Sequence, residues 1–245
     1  MNARIASIAF TSLAPVLLAG PAYADSAEVA AHAGAPVALV AAAFDRGMGA
    51  MPGIDAKAHV DQGFNLIRQG KQAQAVKLFD KVIADADQRL AGDLRPRLCR
   101  EAGIDASHAV EIDSAVCDAH FGKGFALIDL GRGDLAETEL RAATRMAPGN
   151  AHFANEYAEL FKARRAWPES YAEFAHAWAI VDKATTGTDA KIAARALRGM
   201  GFTKAQMGEY DEAATLYRQS LQYDPASPIA QAELGNIARR KAIGS

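Results

Sequence analysis

The feature that most constrains this chain is a spacing of small residues that recurs in register. Gly63 is followed seven residues later by Gly70, with Ala75 five beyond that and Phe79 four beyond again. Gly124, Gly131, Ala136 and Leu140 repeat those intervals, as do Gly201, Gly208, Ala213 and Tyr217. A further copy, Ala158, Ser170, Phe174 and Ala177, keeps the frame but carries Arg165-Ala166-Trp167 at its turn, without the glycine. Pro148 and Pro225 stand at equivalent places after two of the copies. On this frame each unit is 34 residues long: 56–89, 117–150, 151–184 and 194–227.

The intervals fit two helices that cross closely. A small residue in the first helix (Gly63, Gly124, Ala158, Gly201) lets a large one on the second (Phe79, Leu140, Phe174, Tyr217) pack against its backbone. A glycine ends the first helix, where a left-handed backbone is easiest. Asp134 and Asp211 suit the start of a second helix, and proline stops it. One such pair cannot bury its own apolar face, so the units must stack. Composition agrees: half the residues are hydrophobic, with alanine dominant, and only 7% are aromatic, a balance that favours close-packed helices over sheets.

Residues 124–140, Gly-Phe-Ala-Leu-Ile-Asp-Leu-Gly-Arg-Gly-Asp-Leu-Ala-Glu-Thr-Glu-Leu, resemble the tetratricopeptide repeat (TPR). Residues 201–217 do so more closely, including Tyr210-Asp211-Glu212-Ala213. The resemblance runs from residue 56 to the C-terminal region. It departs from the family pattern at Leu66 and Lys204, where an aromatic is common, and at the missing third glycine. It implies an all-α, right-handed superhelical solenoid of stacked helix-turn-helix units, with residues 228–241 as a capping helix.

Two segments break the period. Residues 90–116 are an insert whose end, 109–114, reads as the tail of a worn second helix, and residues 185–193 are a shorter one in which Asp189 is a candidate cap for an early helix start. Ahead of the repeats, residues 25–55 read as a linker with one short apolar helix at 36–44. Residues 1–24 have the order of a secretory signal: Arg4, a short apolar run broken by Pro15, then Ala22-Tyr23-Ala24 before Asp25. Cleavage there leaves 221 residues with 26 basic against 29 acidic side chains. An exported, periplasmic protein is expected, with secretion as the alternative. That charge balance does not suit nucleic acid, and no later apolar run is long enough to span a membrane.

Cys99 and Cys117 are the only cysteines. In an oxidising compartment an even pair reads first as a disulfide. A zinc site built with His108 and His120 is the weaker alternative, and an enzyme using the same Cys/His cluster is more remote. No cofactor is implied. No nucleophile elbow, zincin helix or phosphate-binding glycine loop occurs. The tripeptide Arg132-Gly133-Asp134 is accounted for by its place in a repeat turn.

In stacked TPR units the first helices line a concave surface, so the resemblance implies a protein or peptide partner held there. The inward positions on the shared frame are Val60 and Phe64, Phe121 and Phe125, Asn155 and Glu159, and Arg198 and Phe202, with Lys162 and Arg195 beside them. The Lys and Asn pairing of TPR clamps that grip a terminal carboxylate is absent. Each phenylalanine has an alternative reading as packing between helices. An accessory subunit of a cell-envelope assembly, binding through the insert or the cap, is the alternative function.

Overall fold

A computed structural model describes residues 53–100 and 107–244. The expected signal segment, and the linker up to residue 52 with its short helix at 36–44, lie outside the described residues.

The described residues form nine helices and one short pair of strands: α1 (Ala56–Arg68), α2 (Gln72–Arg89), β1 (Arg97–Cys99), β2 (Val110–Ile112), α3 (Ser114–Asp129), α4 (Gly133–Met146), α5 (Ala151–Ala163), α6 (Trp167–Val181), α7 (Gly187–Gln206), α8 (Tyr210–Tyr223) and α9 (Pro228–Gly244). Each helix packs on the next, and α1 on α3 and α5 on α7 add contacts between successive first helices. This is a stack of four helical hairpins closed by a terminal helix.

The four hairpin turns share one hydrogen-bond pattern. After α1, Gly70 N–H donates to Ile67 O and Lys71 N–H to Leu66 O, each at 2.9 Å. The same two bonds recur after α3 (Gly131 to Ile128, Arg132 to Leu127), α5 (Arg165 to Lys162, Ala166 to Phe161) and α7 (Gly208 to Ala205, Glu209 to Lys204). The pattern requires a left-handed residue just past the helix, and Gly70, Gly131 and Gly208 supply it with φ of 73°, 72° and 85°. Arg165 fills the same place with φ 59°, so the third turn is made without its glycine.

The large residues of the second helices are sealed: Phe79 and Phe174 are 0% exposed, Leu140 and Tyr217 1%. A Cβ on Gly63 would come within 2.5 Å of the Phe79 ring, and one on Gly124 within 2.7 Å of Leu140. The following unit closes from the other side: a Cβ on Gly122 would meet Phe79, and one on Gly199 would meet Phe174, both at 2.5 Å. The same ring positions thus join the helices of one unit and the units to each other.

Three readings of the inserts need correction. Residues 109–114 do not end a helix. Val110–Ile112 pairs in parallel with Arg97–Cys99, with Cys99 opposite Ile112, and runs half-buried, exposed, buried, the period of a strand. Helix α3 then starts at Ser114, three residues ahead of the repeat frame, with the Asp113 side chain accepting from Ala115 N–H at 2.9 Å. The second insert is largely the first two turns of α7. Asp189 lies within its first turn, and Thr186 holds the cap position. At the C-terminus, Ser227 Oγ accepts from Ala230 N–H at 3.4 Å, and Lys241 pairs with Asp211 of α8.

Candidate functional site: the groove of the first helices

The ten side chains expected on the groove wall separate into two groups. At the N-terminal end, Val60 is 4% and Phe121 7% exposed. Phe121 is one rung of an aromatic ladder. It stacks on Phe153 of the next first helix, with centroids 4.7 Å apart and planes 16° from parallel. It also lies 6.3 Å from Phe64 and 6.5 Å from Phe125. The ladder spends the faces of Phe121 on packing between units, and Val60 is buried in the same core cluster, leaving Phe64 and Phe125 half-buried. Asn155 is also removed from the wall: it is 1% exposed, and its Nδ2 donates to Ile192 O of α7 at 3.2 Å. The frame could not anticipate this, because the extra turns of α7 cover that part of α5.

The C-terminal group converges. Glu159 and Lys162 of α5 and Arg195, Arg198 and Phe202 of α7 line one cavity of about 380 Å³. Lys162 Nζ sits 5.3 Å from the Phe202 ring centre, where a cation meets the negative ring face. Trp167 meets Phe202 edge-on at 6.0 Å. Arg195 pairs with Glu156 at 2.5 Å and approaches Glu159 at 3.8 Å, while Lys162 pairs with Glu159. Burial alone would lower the Arg195 pKa, but these two carboxylates hold it above its ordinary value. Arg198 is tied to Asp224 at 3.1 Å. The wall is therefore a set of positioned charges around an aromatic patch, held in place by ion pairs between helices.

Tyr217, Ile229 and Glu233 complete the cavity and were not expected there. Ile229, on the terminal helix, is 60% exposed. The sequence carried one signal for Tyr217, a hydroxyl at a position where the other units have Phe79, Leu140 and Phe174. It carried none for α9, whose placement depends on how it docks on α8.

The sequence pattern of the TPR repeat matches residues 203–238. Solved structures of similar fold include pilF of Pseudomonas aeruginosa, at 17% identity and a TM-score of 0.56 over 76% of this chain and 69% of that one. MamA of Desulfovibrio magneticus RS-1, from residue 41 to its end, has 14% identity and a TM-score of 0.56 over 78% and 88%. YrrB, described as a TPR protein with an unusual peptide-binding site, has 14% identity and a TM-score of 0.51 over 73% and 74%. Residues 203–238 thus carry a tetratricopeptide repeat, and the chain shares the fold of these solved structures. Among curated proteins, none matches its sequence.

In this array of helical hairpins the cysteines are joined. Cys99, at the end of β1, is bonded to Cys117, in the first turn of α3, with Cα atoms 6.4 Å apart. Both residues are buried, at 4% and 2% exposed. A bridged pair offers no thiolate, so the zinc reading and the Cys/His enzyme reading lose their central ligands and nucleophile. His108 is exposed. The His120 ring nitrogen Nδ1 lies 2.7 Å from Glu139 Oε2 instead, in a network that Lys123 extends to Glu139 and Asp80 at 2.7 and 2.8 Å. Among the described residues no group of three or more His, Cys, Asp or Glu side chains is placed to hold a metal ion, and no helix is long and apolar enough to cross a membrane.

Proposed function

We propose that this TPR protein is an exported scaffold that holds a peptide or extended protein segment in the C-terminal half of its groove. The observation that carries the reading is the convergence of Glu159, Lys162, Arg195, Arg198 and Phe202 from two first helices on one cavity. Fixed polar groups beside an apolar patch suit an extended ligand, with pockets for its side chains and polar partners for its backbone. The likeness to YrrB, described as having a peptide-binding site, is consistent with that use. Export to the periplasm is supported by the order of residues 1–24 and by a buried disulfide, since such bonds persist in oxidising compartments.

A second reading has its own observation. Leu94 in the insert is 97% exposed and Ile243 in the terminal helix 86%, and both suit docking of an accessory subunit through insert or cap. A photo-crosslinking residue at position 202, 94 or 243, introduced one at a time in the native host, separates the two. Adducts at 202 that an exposed-face control lacks support the groove. Adducts confined to 94 or 243 overturn it in favour of the second reading. Mass measurement of the envelope fraction tests export. A chain beginning at Asp25 is expected, and an intact chain found only in the cytosol refutes it.

A further inference from the structure

The floor of the groove cavity holds a group that the repeat architecture does not require. Tyr217 occupies the ring position that seals each hairpin, and as a residue it is 1% exposed. Phe79, Leu140 and Phe174 do the same work with hydrocarbon alone. The Tyr217 ring lines the cavity. Among the described residues its hydroxyl has no hydrogen-bond partner, and it is not one of the fully enclosed polar atoms that lack one, so the oxygen keeps a small accessible surface. A nearly sealed ring that lines a cavity and keeps its one side-chain polar atom unpaired offers a donor and acceptor to a ligand.

Two charged groups flank it. Arg198 of α7 and Glu233 of α9 line the same cavity. Both act on the phenol: burial pushes its pKa up, Glu233 adds to that and Arg198 opposes it. Arg198 uses Nη1 on Asp224, which leaves further N–H donors of its guanidinium fork. Glu233 has no hydrogen bond or ion pair among the described residues. The Arg198 donors and the Glu233 carboxylate acceptor, with Ile229 and Phe202 lining the same cavity, suit a group that both accepts and donates. A ligand carboxylate would face Glu233 and Glu159, and a ligand ammonium would face Arg198, Arg195 and Lys162.

We infer that Tyr217, Arg198 and Glu233 form a subsite for a primary carboxamide, the side chain of an asparagine or glutamine next to an apolar residue of the bound segment. Its carbonyl oxygen accepts from Arg198 and the Tyr217 hydroxyl, and its NH₂ donates to Glu233. This rests on the groove reading and adds the chemistry of the segment that the groove selects.

Tyr217→Phe is the decisive variant, because phenylalanine already fills this position in two other units and the fold is kept. A random peptide display library is selected on the full chain, and the recovered peptides are titrated against the parent, Tyr217→Phe and Glu233→Gln. The expected result is enrichment of Asn or Gln beside an apolar residue. Tyr217→Phe should then weaken binding about fivefold, the worth of one hydrogen bond, with an unchanged melting temperature. Replacing the peptide's Gln by Glu should weaken binding to the parent and less so to Glu233→Gln. Peptides that bind, are displaced by Phe202→Ser, and show no carboxamide preference or bind Tyr217→Phe equally overturn the subsite while leaving the groove. Failure to recover any peptide dependent on Phe202 overturns both.

Discussion

Replacing Cys99 and Cys117 together by alanine should lower the melting temperature by about 6 to 12 °C. The bond closes a loop with a sequence separation of 18. For a loop of that length the chain-entropy account gives about 3 kcal/mol of stabilisation, acting mainly through the unfolded chain. In a protein of this size each kcal/mol moves the midpoint by roughly 2 to 4 °C, which sets the range. Alanine is preferred to serine because both sites are buried, at 4% and 2% exposed, and a hydroxyl there would need a partner. The effect should also be local. In a stacked array each unit contacts only its neighbours, and the bond joins the insert to the first turn of α3. Hydrogen exchange should accelerate in β1, β2 and the start of α3 and be unchanged in α8 and α9. Circular dichroism during heating, with and without a thiol reductant, gives the global shift. The variant should be indifferent to reductant. A midpoint within 2 °C of the parent, or exchange that rises equally in α9, would refute the account of the bond as a staple of the insert.

Arg165→Gly relieves a left-handed backbone at the third turn, a gain of about 1 kcal/mol that the freer unfolded chain partly offsets. Urea unfolding should find the variant more stable by about 0.5 kcal/mol. Gly131→Ala, at the equivalent turn, should destabilise by about 1 kcal/mol. A loss of stability in Arg165→Gly would mean that the side chain outweighs its backbone. For Glu139, burial pushes the carboxyl pKa up, but the hydrogen bonds to His120 and Lys123 overcome this and hold it below its ordinary value of 4.5. The unfolded chain therefore takes up that proton first. This contribution is full above about pH 4.5 and is lost as the pH falls through the folded value. Denaturation between pH 3 and 7 should show a shallower acid limb in Glu139→Gln, and equal slopes would refute the assignment.

What could be read from the sequence, and what could not, divides at the boundary of the repeat unit. The crossing of Gly63 with Phe79, of Gly124 with Leu140 and of Gly201 with Tyr217 lies within one hairpin, where a turn of fixed length sets the geometry, so residue spacing reports it directly. The third turn was legible even without its glycine, since the frame continues on either side, and Arg165 takes the left-handed conformation that closes the same two hydrogen bonds. Contacts between units obey no such local rule. Gly122 and Gly199 look like ordinary helical glycines until the following hairpin is rotated against the preceding one. The burial of Phe121 depends on Phe153, in a different unit, and that of Asn155 on two helical turns supplied by what read as an insert. The groove inherits this division. Its C-terminal wall was visible as charges at inward positions of two first helices, whereas its floor and far side come from a second helix and the cap. The groove is thus specified twice. The repeat frame fixes which faces point inward, and the packing between units, which follows no period, decides which inward side chains remain free to meet a ligand.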